Sequence, residues 1–153
     1  MNVATAKVDD LKDLLELVRS YQEEGEEFEV RDDKVIHGYL NDILHDKSLG
    51  TVFIGRTSGG APIGFCIVYL IPSTYEAARN PTILDLYVIE SQREKGFGRQ
   101  LFDHCIRWAK KKKHARINCT VENLNMAAQY LFEPYNPDSD GWVQYSLNLN
   151  KPE

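Results

Sequence analysis

The stretch "TILDLYVIE", residues 82–90, is an apolar run interrupted by Asp85 and closed by Glu90, and it leads directly into "SQREKGFGRQLF", residues 91–102, where two glycines stand among basic side chains. β-Branched and aromatic residues favour an extended strand, and glycines favour a tight turn. Beyond the turn, Leu101, Phe102, Cys105, Trp108 and Ala109 recur at helical spacing, which predicts a helix from about Phe97. A strand that turns into a helix in this way gathers the helix's unpaired N–H groups at one point, and that point attracts anions. Gly96 and Gly98 allow the main chain to approach a bound anion closely, and Arg93, Lys95 and Arg99 stand around the turn as positive charges. A Walker A loop would need a G-x-x-x-x-G-K-[ST] run, and a dinucleotide-binding turn would need a third glycine after the first strand. Neither is present.

Working outward, "NVATA" predicts a short first strand. Asp9 or Asp10 can cap a helix that carries Leu11, Leu14, Leu15, Val18 and Tyr21 on one face and ends near Gly25. A second helix from about Asp32 carries Val35, Ile36, Tyr39, Leu40, Ile43 and Leu44 and stops before Gly50. "TVFIGR" and "PIGFCIVYLI" read as strands joined by the hairpin link "TSGGA", and "PSTYEAARNP" reads as a long irregular connection. After the glycine turn and its helix, Lys110 to Lys113 close that helix at the negative end of its dipole. "ARINCTV" then predicts a strand, "NLNMAAQYLFE" a short helix and "GWVQYSLNL" a last strand. The order β-α-α-β-β-β-α-β-α-β predicts an α/β fold with a mixed sheet and at least one parallel pair.

A chain of 153 residues suits a single domain spanning 1–153. With 18 Lys and Arg against 23 Asp and Glu, the formal net charge of −5 argues against a general nucleic-acid binder and favours a cationic partner. The N-terminus has no basic region followed by an apolar core, and no apolar run reaches the roughly 20 residues of a membrane span. The expectation is a soluble, cytoplasmic protein without membrane or nucleic-acid partners. Cys66, Cys105 and Cys119 lie in apolar segments without C-x-x-C spacing and read as reduced core thiols. His37, His45, His104 and His114 fall on separate elements, so no metal site is expected.

The run Arg93-Glu94-Lys95-Gly96-Phe97-Gly98 resembles the acyl-CoA signature Q/R-x-x-G-x-G/A of the GNAT N-acetyltransferases, and the similarity extends over "LYVIESQREKGFGRQLF". That resemblance implies a mixed, mostly antiparallel sheet of six to seven strands with a splayed parallel pair, flanked by about four helices. It implies acetyl-CoA as cosubstrate, held at Arg93, Lys95, Gly96, Phe97, Gly98 and Arg99. The pantetheine arm would lie between the strand at Leu86 to Val88 and the strand at Cys119 to Val121, bonding the main chain at Leu86 and Val88. "NMAAQYLFE" is similar to the family's N-x-x-A-x-x-x-Y segment, which gives Asn125 two readings, a CoA contact or a helix N-cap. In that register the family's proton-donating tyrosine falls at Phe132. If Asn123 is the matched asparagine instead, Tyr130 takes the place.

By the same resemblance the acyl group passes directly to an amine, with main-chain N–H near Val88 polarising the thioester. Asp85, a carboxylate in an apolar strand, is the candidate base or amine anchor; a hydrogen-bonded strand aspartate is its other reading. "EEGEEFE" places Glu23, Glu24, Glu26, Glu27 and Glu29 at the link between the first two helices, where Glu26 and Glu27 would attract a cationic acceptor and Tyr75 would form an opposite wall. A solvated loop explains the same residues. The expected acceptors are polyamines, lysine side chains or peptide amines. The alternatives are an aminoglycoside or amino-acid-like amine, or a CoA-binding module without turnover. Exposed strand edges allow a homodimer.

Overall fold

The computed structural model describes residues 1–25, 29–138 and 141. Five strands, β1 (Asn2–Thr5), β2 (Gly50–Arg56), β3 (Pro62–Ser73), β4 (Ala78–Val88) and β5 (Asn118–Cys119), form one sheet in sequence order. All pairings are antiparallel except β4 with β5. Helices α1 (Leu11–Glu24) and α2 (Asp33–His45) precede β2, and α3 (Phe97–Lys111) and α4 (Met126–Phe132) lie on either side of β5 in sequence. The order matches the sequence expectation as far as the described residues go. The expected last strand falls almost wholly outside them, which leaves five strands against the six to seven expected.

Two expected boundaries need correction. "PSTYEAARNP" is mostly strand: β3 and β4 pair as far as Ser73 opposite Ala78, leaving only a tight turn at Thr74–Ala77. Its prolines and small residues read locally as loop, but inter-strand pairing holds both arms extended. Conversely, "ARINCTV" contributes only Asn118–Cys119, opposite Thr82 and Ile83.

The sheet separates two apolar layers. On one face Leu14, Leu17 and Val18 of α1 and Ile36, Leu40, Ile43 and Leu44 of α2 pack on Val52, Ile54, Phe65 and Ile67. On the other, Leu101, Phe102, Cys105 and Ile106 of α3 pack on Phe53, Cys66, Val68 and Ile83. Burying each of the valine, leucine, isoleucine and phenylalanine side chains stabilises the fold by roughly 1.5–3 kcal/mol. The α2 stripe is narrower than its spacing suggests, because Val35 and Tyr39 remain 60% and 46% exposed.

The register of β3 on β4 carries the feature that shapes the site. Ile67 lies opposite Asp85 and Val68 opposite Ile83, so Leu84 is an extra residue, a β-bulge. In a regular strand Ile83 and Asp85 would share a face. The bulge reverses that alternation. Ile83 joins the α3 layer, while Asp85 turns to the α1–α2 side beside Ile67.

Candidate active site

Beside Asp85 lies a pocket of about 360 Å³ bounded by α1, α2, β3 and β4. Its walls include Val18, Ile36, Phe65 and Ile67, together with the rings of Tyr21, Tyr39 and Tyr69. Three of its groups form a directed chain: the Tyr39 hydroxyl donates to the Tyr69 hydroxyl (2.6 Å), which donates to Asp85 Oδ2 (2.5 Å). Burial and the neighbouring Asp85 carboxylate push the Tyr69 hydroxyl far above its ordinary value, so it remains a donor. Burial, with Asp85 adding to it, also raises Tyr21. In the sequence Tyr21 and Tyr39 read as members of helix core faces and Tyr69 as part of an apolar strand. The available signal was the grouping of hydroxyl-bearing aromatics at the edges of apolar stripes.

Along the edge of β4 that is turned away from β3 the sheet opens. Pairing with β5 ends at Ile83, whose carbonyl accepts from Thr120 (3.1 Å), and Leu84 is 46% exposed. The Ile89 N–H donates to Ile63 O on β3 (3.0 Å). By antiparallel alternation the main-chain groups of Val88 and Leu86 therefore point away from β3, into the gap that β5 has left. The Val88 carbonyl there accepts from Arg93 Nε (2.8 Å), while no acceptor within the sheet faces the Val88 and Leu86 N–H groups among the described residues.

The glycine turn follows β4. Gly96 has φ +76° and caps α3 from the left-handed region, where glycine is favoured; Glu94 also has a positive φ of 59°. The main-chain N–H groups of residues 94–99 find no acceptor among the described residues, and the helix dipole adds positive potential there. A Cβ at Gly98 would meet only Leu86 Cδ2, at an ordinary 3.9 Å, so packing within the chain does not demand a glycine there. Free donors with open space above Gly98 fit a diphosphate.

The basic side chains near the turn are engaged. Arg93 pairs with Glu24 and lies over the Tyr87 ring, 5.5 Å from its centroid; Tyr87 in turn donates to Glu24 Oε1 (2.5 Å). Burial, followed by the Glu24 hydrogen bond, pushes the Tyr87 hydroxyl up to about 12. Lys95 Nζ donates to Ser91 O (2.7 Å), and Arg99 donates to the carbonyls of Leu131 (2.5 Å) and Tyr130 (2.6 Å) at the end of α4. Phe97, the first residue of α3, packs partly buried against the α3 layer.

Asn125 is the N-cap of α4, its Oδ1 accepting from Ala128 N (3.0 Å). Phe132 packs on Phe102 with ring centroids 5.3 Å apart, and Tyr130 is 58% exposed. Tyr75 stands fully exposed at the tip of the β3–β4 turn, away from the pocket, and Glu76 beside it pairs with Arg116 (3.4 Å). Glu26 and Glu27 lie outside the described residues. Glu24, from the same acidic run, is turned inward onto Arg93 and Tyr87. No cluster of His, Cys, Asp and Glu suited to a metal occurs among the described residues, and no helix there is long and apolar enough to cross a membrane.

Residues 11–134 match the model of the acetyltransferase (GNAT) family. No curated protein matches the sequence. Among solved structures, one described as a "probable acetyltransferase" superposes with a TM-score of 0.84 at 21% identity, covering 99% of this chain and 100% of that one. A ribosomal-protein-alanine N-acetyltransferase from Brucella melitensis biovar Abortus 2308 gives 0.75 at 21% identity, covering 97% and 100%. An aminoglycoside acetyltransferase from an uncultured soil metagenomic sample, solved with sisomicin, gives 0.78 at 17% identity, covering 97% and 96%. At these identities the likeness to the solved structures is one of fold.

Proposed function

The chain belongs to the acetyltransferase (GNAT) family, and from that premise we propose that it acetylates a primary amine that enters as an ammonium at Asp85. The observation that carries this reading is the bulge at Leu84, which aims a carboxylate into a pocket on the α1–α2 face of β4 while the main chain of Leu86 and Val88 opens along the edge that β5 leaves unpaired. An acceptor reaching past the unpaired edge of β4 would meet both.

The family uses acetyl-CoA, which supplies an activated acetyl group as a thioester. The N–H groups of residues 94–99 and the space above Gly98 would hold its diphosphate, and the outward N–H groups of Leu86 and Val88 would hold the arm that reaches the gap. Arg93 and Lys95 border the turn and Arg99 lies in the first turn of α3, each able to add charge on exchanging a present partner. Asn125 would add a contact from the start of α4.

An amine attacks only as a neutral base, and a lysine-like ammonium has a free pKa of about 10, so its proton must be removed. Asp85 accepts it through a carboxylate oxygen. The Tyr69 hydroxyl, held by Tyr39, fixes the other side of that carboxylate. The departing thiolate, with an ordinary pKa near 8.5, needs little help, so an exposed Tyr130 and an apolar Phe132 are compatible with turnover.

Thiol release from acetyl-CoA, followed by mass spectrometry of the amine, tests the proposal. Acetylated amine equal to thiol released supports it, with Asp85→Asn much slower at unchanged CoA affinity. Tight CoA binding without release for any amine would favour a binding module.

A further inference from the structure

We propose that the acceptor carries a single ammonium on an apolar body, of the alkylamine or arylalkylamine kind, and is neither a polyamine nor an aminoglycoside. The inference rests on the reading of the Asp85 pocket as the acceptor site and deepens it.

The charge of the pocket is the first ground. Asp85 is the one carboxylate among its described lining residues, and the other charged group is Arg31, a cation. A second ammonium on the acceptor would find repulsion at Arg31 where a polyamine needs attraction. The acidic run that would favour a polycation is also partly spent, since Glu24 is tied to Arg93 and Tyr87.

The walls are the second ground. Val35 and Tyr39 of α2, which line the pocket, are 60% and 46% exposed overall, and Tyr21 of α1, also in its wall, is 37% exposed and faces Phe65 edge-on at 5.9 Å. These side chains leave an uncovered apolar and aromatic surface beside a single carboxylate. An ammonium bound there has tyrosine faces within reach, and its hydrocarbon body gains by burial.

The hydrogen-bonding capacity is the third. The Tyr39 and Tyr69 hydroxyls are committed to each other and to Asp85, and Gln22 Oε1 accepts from Arg31 N (3.0 Å). Few polar groups remain for a polyhydroxylated sugar, whose hydroxyls would be buried without partners. A volume of about 360 Å³ is also small for such a ligand, near the lower limit of the roughly 300–1,000 Å³ usual for ligand sites.

Thiol release by the full chain with ethylamine, butylamine, hexylamine and 2-phenylethylamine, against spermidine and kanamycin, tests this. kcat/KM should rise about fourfold per methylene from ethylamine until the pocket fills. Spermidine and kanamycin should fall at least roughly tenfold below 2-phenylethylamine, one decade corresponding to a modest binding difference. Val35→Glu, at an exposed helix position, should narrow or reverse that preference. Calorimetric binding of 2-phenylethylamine and spermidine to the protein–CoA complex reads selectivity independently of turnover. Selective binding without thiol release would support the inference and sink the catalytic reading. Turnover that favours spermidine or kanamycin, or a flat alkyl series, would overturn the inference and leave acetyl transfer standing; binding that favours either without thiol release would overturn both.

Discussion

Asp85 sits where two roles meet, a carboxylate facing an apolar pocket and the acceptor of a tyrosine chain. Asp85→Asn keeps the shape and removes the base, so kcat/KM should fall by roughly 10²-fold to 10⁴-fold, with partial recovery as pH rises and more acceptor arrives neutral. Tyr69→Phe removes one hydrogen bond to the carboxylate and should cost roughly tenfold to a hundredfold in kcat, with CoA affinity unchanged by calorimetry. At the glycine turn, Gly98→Asp has room for its Cβ and should fold with a near-native melting temperature, yet lose CoA binding because its carboxylate faces a diphosphate. Unchanged affinity would make the turn structural only. Asp85 was legible in the sequence because a charge in an apolar strand is conspicuous. Its tyrosines were not, since Tyr21 and Tyr39 occupy spacings that serve a helix core equally well, and only the folded arrangement separates wall from core.

Among the elements, β4 carries the site's shape. The β4 bulge was invisible in "TILDLYV", because an extra residue changes which side chains share a face without changing the composition of the run. The strand, turn and helix at residues 82–111 were legible because β-propensity, glycine and helical period all changed at the same place. The length of β3 and β4 was not, because pairing overrides local turn signals. Helix α4 spans only Met126–Phe132, and isolated helices of that length are marginal. Arg99 holds its end through the carbonyls of Tyr130 and Leu131, so Arg99→Ala should raise amide hydrogen exchange across Met126–Phe132 while leaving Leu101–Ala109 of α3 protected. Equal exchange in variant and parent would show that packing of Phe132 on Phe102 suffices.

At the scale of the molecule, Glu24 ties the end of α1 to β4 through Tyr87 and to the glycine turn through Arg93. Burial raises the Glu24 carboxyl, but the hydrogen bonds from Arg93 and Tyr87 outweigh it and hold the group below its ordinary 4.5. A carboxyl depressed by folding contributes stability that is fully present above its unfolded value and is lost as pH falls through its folded value. Glu24→Gln should therefore melt below the parent at pH 7 and converge with it as pH drops below 4.5, a comparison that thermal melts at several pH values decide. The central claim is that a CoA site at the turn and open edge that follow β4 and an amine pocket on its α1–α2 face act on one reaction. Its most direct test is the rate of acetyl transfer to 2-phenylethylamine in the parent, Gly98→Asp and Asp85→Asn, with CoA affinity measured in each. The account predicts that Gly98→Asp loses CoA and rate together, whereas Asp85→Asn keeps CoA and loses rate by roughly 10²-fold or more. Full rate in Asp85→Asn at unchanged CoA affinity would contradict it.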